Sequence, residues 1–195
     1  MKRMLISLSL GASALIPAAA QAQALPAAVI AVVDVDRVRS TCNACKTAIA
    51  SLQSQAAAED AREKALAAPL QTENQALQKA AAALNGKPAD AALQARAKAF
   101  QEKYAQLQQE ADRGQQQLRA NQQFILKQID DKLNPIFAQV MQRRNANVMV
   151  EQGATLATAA SIDVTNDVLA ALNTSLTTIA PTAPAPARTT QPQGR

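Results

Sequence analysis

The chain contains no histidine and no tryptophan, and only 2% of its residues are aromatic. Without histidine the commonest general base is missing, and no nucleophile-base set can be assembled around one. Two cysteines and no imidazole make a poor ligand set for zinc. One tyrosine and three phenylalanines cannot line a basic groove with stacking platforms, which argues against single-strand nucleic-acid binding. There is no glycine-rich phosphate loop, and no apolar run after the first residues approaches the ~20 needed to span a bilayer. These absences exclude most hydrolases, nucleotide-dependent enzymes and membrane-embedded carriers. We expect no catalytic residue, no metal and no cofactor.

What is present is the composition of long helices. Apolar residues make up 48% of the chain, mostly alanine, and Ala, Gln, Leu, Lys, Arg and Glu fill the middle. Alanine buries little area, so such a chain gains stability by pairing helices or pairing chains. The beginning differs. Lys2 and Arg3 precede a short apolar run from Leu5 to Ile16, and small residues lead to Ala22-Gln23-Ala24. That is the pattern of a cleaved secretory signal over 1–24. The formal charge is +5, and removal of Lys2 and Arg3 leaves +3. This mild excess suits acidic partners or anionic lipid surfaces and falls short of a nucleic-acid signature.

Ala28 to Asp34 is apolar and β-branched and reads as a buried strand. Asp36 to Leu84 reads as helix, with Ile49, Leu52, Ala56, Leu66, Leu70, Leu77, Ala80 and Leu84 on one alternating three-four frame. Glu59, Glu63 and Glu73 interrupt that seam, and Pro69 should kink or break the helix. Asn85-Gly86-Lys87-Pro88 is a helix stop and turn. A second helix resumes near Ala89 on Leu93, Ala97, Phe100, Tyr104, Leu107, Ala111, Gly114, Leu118 and Ile125, antiparallel to the first. Larger apolar residues from Phe124 to Met141 mark deeper burial, and Pro135 a bend. Asn147 to Glu151 is a candidate strand and Thr155 to Thr158 a short returning one. Thr165 or Asn166 would cap a last helix through Leu176. From Ala180 the chain is Pro, Ala, Thr and Gln, the composition of a disordered tail.

Two groups of residues invite a functional reading. Cys42-Asn43-Ala44-Cys45 follows a strand and opens a helix, where a thiol pKa falls. The pair could serve a redox enzyme, but the surrounding pattern lacks the strands of a thioredoxin-like fold, and a disulfide of structural character suits an oxidising compartment better. Asp34 and Asp36 at the strand end have the pairing of catalytic carboxylates, but read better as a strand terminator and a helix cap respectively. Lys79, Lys87, Arg96, Lys98 and Lys103 make the hairpin tip basic against Asp90 and Glu102. They are either an ordinary solvated surface or attracting groups for client chains or lipid headgroups.

The order of elements, with Ile30 to Asp36, Asn147 to Glu151 and Ile162 to Leu172 as its specific parts, resembles the Skp/OmpH family of periplasmic chaperones. The resemblance covers nearly all of the chain after the signal to about Leu176. Cys42, Cys45 and the Pro-rich tail depart from the family pattern. The resemblance implies a mainly α fold with a small β body (α+β). It places the body in 25–40 and 145–179 and a helical hairpin arm in 41–144 with its tip near 85–88, while composition alone makes 180–195 a disordered tail. It further implies a homotrimer in the periplasm that holds unfolded outer-membrane β-barrel proteins without ATP; the charge pattern adds contact to anionic lipid headgroups and none to nucleic acid. A structural coiled-coil adaptor of the envelope and a thiol oxidoreductase are the alternatives.

Overall fold

A computed structural model describes residues 26–184. The expected signal segment 1–24 and residues 185–195 of the expected tail lie outside these. The fold starts from a short apolar strand, β1 (Ile30–Val33), with three of its four residues buried. It pairs in parallel with β2 (Val148–Glu151), Ile30 opposite Val148 and Val33 opposite Glu151. Parallel pairing needs a crossover, and here the crossover is the whole helical hairpin. On the other side of β1 the Val164 N–H donates to the Val32 carbonyl at 2.8 Å, beside a bridge between Val32 and Asp163. The expected returning strand at Thr155 to Thr158 does not form. Those residues lie between two short 3-10 turns, and the place beside β1 is taken by Asp163 and Val164.

Helix α1 (Val35–Thr41) is capped by Asp34, whose carboxylate accepts from the Arg37 N–H at 2.8 Å. Asp36, expected as the cap, lies in the first turn. The single helix expected from Asp36 to Leu84 is two. The chain leaves helical geometry at Cys42 (φ −59°, ψ 148°) and resumes as α2 (Asn43–Ala83). Neither proline interrupts its helix: α2 runs through Pro69, and α3 (Ala91–Arg144) runs through Pro135. Each proline removes one backbone donor, but both are exposed, so water can serve the freed carbonyl. The turn between the arms follows its sequence, with Asn85 (φ 47°) and Gly86 (φ 84°) both left-handed. Asp90 then caps α3 by accepting from the Leu93 N–H at 2.8 Å. At the far end of α3, Asn145 is left-handed (φ 52°) and the Ala146 N–H returns to the Met141 carbonyl at 2.9 Å.

The last helix, α4 (Thr165–Ser175), begins at Val164 rather than at a hydroxyl or amide cap. Asp163 does that work, accepting from the Thr165 N–H at 2.8 Å. Thr165 is instead buried, and its hydroxyl oxygen accepts from the Asp34 N–H at 2.9 Å. The Thr165 hydroxyl, then its N–H, hold the Asp163 carboxyl below its ordinary range against a smaller desolvation effect, with Arg37 adding to the lowering.

The core lies at one end of the molecule. Ile125, Ile129, Leu133, Ile136 and Val140 recur at helical spacing on α3 and are buried against Val38, Cys42, Cys45, Ala48, Val168 and Leu172. Arg39 pairs with Asp130 at 2.7 Å and Arg144 with Asp167 at 2.6 Å, fastening α1 and α4 to the same helix. The last buried residue of α2 is Ala48, and the first of α3 is Asn121. At 1.5 Å per residue, α2 is about 60 Å long and α3 about 80 Å, so most of the hairpin projects beyond the core.

Ala180, expected to open the tail, is instead tied to the hairpin. Its N–H donates to Gln128 Oε1 and its carbonyl accepts from Gln128 Nε2, both at 3.0 Å. The Ala183 N–H donates to Asn121 Oδ1 at 2.8 Å. The described part of this Pro- and Ala-rich stretch, to Pro184, adds no residue to the core, but its backbone groups bind the hairpin.

Two measurements test this account. Leu172→Ala should cost about 2–5 kcal/mol in urea unfolding, because Leu172 is fully buried at the junction of α3 and α4. Asp163, its folded pKa lowered, contributes stability that is present above pH ~4 and lost as pH falls through the lowered value. Asp163→Asn should flatten the acid limb of the stability curve, and an unchanged limb would contradict the assignment.

Candidate functional site

Beyond the core the two arm helices meet through small and charged side chains. The expected seam is there, but it is half covered: Ile49 is 37%, Leu66 39% and Tyr104 48% exposed. Alanine at Ala56 and Ala111 and carboxylates at Glu59 and Glu73 leave the seam without large knobs to close it. Ion pairs across the arm do part of the joining. Arg62 meets Glu110 at 2.9 Å, and Arg96 reaches Glu73 through two nitrogens at 3.0 and 3.1 Å. These pairs are half exposed, and each contributes less than about 1 kcal/mol. Gly114 shows why Glu59 is tolerated in the seam. A Cβ there would stand 2.8 Å from Glu59 Oε2, so glycine leaves the room the carboxylate occupies.

The loose seam opens into grooves. One of about 240 Å³ lies nearest the core between Ala56, Leu66, Leu107 and Leu118. The largest, about 580 Å³, lies mid-arm on Leu66, Pro69, Leu70, Phe100 and Leu107, with Glu73, Arg96, Lys103 and Glu110 around it. A third of about 370 Å³ near the tip is lined by Leu77, Ala81, Leu84, Leu93 and Ala97. Phe100 stacks on Tyr104 with ring centroids 6.1 Å apart, which presents the largest aromatic surface of the described arm. An open apolar floor with charges of both signs at its rim can take varied apolar side chains while polar backbone stays hydrated. It is not built to orient one small ligand.

The five basic residues singled out in the sequence do not form one cluster. Arg96 is bound to Glu73 and clamps the hairpin, while Lys98 lies 4.0 Å from Glu102. Lys103 stands at the mid-arm groove, and Lys79 and Lys87 are exposed near the tip. In the sequence pattern Pro69 is a helix breaker and Leu70 and Phe100 are seam residues; the structure puts all three at the mid-arm groove. The signal for a groove was present in the alternation of leucines with Glu59, Glu63 and Glu73, which prevents the seam from closing.

Cys42 and Cys45 are joined by a disulfide across the break between α1 and α2, with Cα atoms 5.0 Å apart. Both are fully buried, and the adjacent Asn43 N–H donates to Asn173 Oδ1 of α4 at 2.8 Å. Thiol exchange needs an attackable sulfur, and this pair offers none to a protein substrate. Among the described residues no group of three or more His, Cys, Asp or Glu could hold a metal ion, and no helix is long and apolar enough to cross a membrane.

A family model described as "Outer membrane protein (OmpH-like)" matches residues 29–172. The chain is also similar to the crystal structure of a proposed outer membrane chaperone (OmpH-like) from Caulobacter crescentus CB15. The two share 22% identity and a TM-score of 0.67, over 80% of this chain and 90% of that one. At that identity the likeness concerns the fold. A search of curated proteins found no match.

The uninterrupted helix at Pro69 carries a prediction about arm stiffness. A proline in a helix interior costs about 3 kcal/mol relative to alanine. Pro69→Ala should therefore slow amide exchange in α2 around Leu66 to Glu73, while amides of Ile129 and Leu133 in the core keep their rates. Equal exchange in the arm of both proteins would show that Pro69 does not loosen it.

Proposed function

Because the chain belongs to the family of OmpH-like outer membrane proteins, we propose that it is an ATP-independent holdase chaperone of the periplasm, which binds unfolded outer-membrane β-barrel proteins and keeps them from aggregating. Family membership supports a chaperone role and no catalytic one. The observation that carries the finer reading is the mid-arm groove: an open apolar floor at Leu70 and Phe100 on a hairpin arm whose helices bury nothing there. A folded adaptor partner would be met by a closed, specific surface. Unfolded chains need many weak, adaptable contacts, which alanine-rich helices with half-covered leucines supply.

Assembly is the second part of the proposal. The sheet in the body of one described chain has two strands, and the body leaves apolar side chains outside: Val29 47%, Ile30 44%, Val148 40% and Leu156 fully exposed. An edge strand with apolar neighbours is unfavourable in water unless another chain covers it. A homotrimer, as the Skp/OmpH resemblance implies, would cover it and hold three arms around a shared space where the grooves face a client. Export through the signal over 1–24 would deliver the protein to the compartment where such clients pass. Lys79 and Lys87, exposed near the arm tips, would attract anionic lipid headgroups.

Light scattering tests the holdase directly. A urea-unfolded outer-membrane β-barrel protein, diluted without ATP into buffer with near-stoichiometric trimer, should stay clear. A Leu70→Ser, Phe100→Ser variant should need several-fold more protein for the same effect. Unchanged scattering at several-fold excess of the wild type would overturn the holdase in favour of a structural adaptor. In parallel, the solution mass should be three times that of one chain, and Leu156→Asp with Val148→Asp should lower it.

A further inference from the structure

The segment Ile179 to Pro184 lies along the root of the hairpin in a way that its own sequence does not explain. Ile179 packs against the core, and Pro181 and Ala183 are half buried. Otherwise the segment is held by its backbone. Gln128 on α3 reads both polar groups of Ala180, accepting from its N–H and donating to its carbonyl at 3.0 Å each. Asn121, about two helical turns earlier, accepts from the Ala183 N–H at 2.8 Å. Gln55 on α2 donates to the Pro181 carbonyl at 3.4 Å. Three amide side chains from two helices thus meet four backbone groups of one segment.

The amides are themselves held in place. Asn121 is 2% exposed. It donates to Gln55 Oε1 at 2.6 Å and accepts from Gln117 Nε2 at 2.8 Å. Its oxygen has room to accept from one further donor, and the segment supplies it. Without the segment the Asn121 oxygen keeps only Gln117 as donor, so the site favours an occupant that brings a backbone N–H. An amide side chain carries one donor and one acceptor group and matches the peptide unit of any residue. Recognition of this kind is indifferent to side chains.

We propose that Gln55, Asn121 and Gln128 form a cleft that binds extended polypeptide through its backbone, and that the chain's own Ile179 to Pro184 is the built-in occupant which an extended segment of an unfolded client displaces. The cleft gives the root of the arm a second way to hold unfolded chain, distinct from the apolar grooves further out. The resident segment is weakly apolar and tethered, so it covers the cleft when no client is present and yields when a longer segment, also engaged along the arm, competes for it. The nature of the displacing ligand rests on the holdase reading; the existence of the cleft does not.

The test uses the full chain and a fluorescently labelled synthetic peptide with the sequence Thr178 to Arg188. The double substitution Ala180→Pro, Ala183→Pro deletes the two N–H donors of the resident segment and leaves Gln55, Asn121 and Gln128 in place. By fluorescence anisotropy, this variant should bind the peptide at least tenfold more tightly than the wild type, whose own segment competes. A peptide N-methylated at Ala180 and Ala183 should fail to bind. An unlabelled extended peptide of unrelated sequence, cut from an outer-membrane β-barrel strand, should displace the labelled one. Absence of binding to a variant with wild-type helix content, or equal binding of the N-methylated peptide, would overturn the cleft. Failure of the unrelated peptide to compete would overturn the ligand class and reduce the site to a clasp for this chain's own segment. Should the variant fold poorly, amide exchange at Ala180 and Ala183 of the wild type gives the same answer. Excess barrel-strand peptide should accelerate it, and unchanged exchange refutes displacement. Peptide binding with no protection in light scattering would sink the holdase and leave the cleft standing.

Discussion

One face of α3, from Ile125 to Val140, holds the molecule together. Its five buried side chains meet α1, the first turns of α2, α4 and the short sheet. Remove that contact and little else remains to order the chain. The sheet has two strands, and the hairpin beyond Ala48 and before Asn121 buries no residue. The core is therefore a knot at the root of two very long helices. Even the polar fastenings collect there: Arg39 with Asp130, Arg144 with Asp167, and the Thr165 link between strand and last helix.

This concentration has consequences for the rest. The arms can be rich in alanine and glutamine, and can carry carboxylates in their seam, because the fold does not depend on their closure. Half-exposed pairs such as Arg62 with Glu110 and Arg96 with Glu73 keep the helices together at modest strength. The space left between them becomes apolar groove. Rigidity at one end and loose, partly apolar surface at the other is a division of labour suited to holding chains that have no fixed shape. The same economy appears at the root, where Asn121 and Gln128 grip a segment by its backbone.

Much of this architecture was legible from residue pattern. The apolar β-branched run before Asp34, the Asn85-Gly86 turn with its two left-handed residues, and the rise in large apolar residues after Phe124 each correspond to a structural feature with a local cause. Where the reading failed, the cause was not local. The helix break at Cys42 coincides with the disulfide to Cys45 and with contact to α4. Asp34 outcompetes Asp36 as cap because the chain turns immediately after β1. The prolines at 69 and 135 stay within their helices because each is exposed and the freed carbonyl can be hydrated. The grip on Ala180 and Ala183 could not be foreseen at all, since backbone recognition depends on which distant amides arrive beside the segment and leaves no mark in its composition.

The central claim is that clients are held along the arms while the core stays intact. Hydrogen exchange along the whole chain, with and without a bound unfolded β-barrel protein, tests it most directly. The account predicts slowed exchange in α2 and α3 around Leu66 to Leu70 and Phe100 to Leu107, with no change at Ile129, Leu133 and Leu172. Protection confined to the body, or loss of protection in the core on client binding, would contradict it.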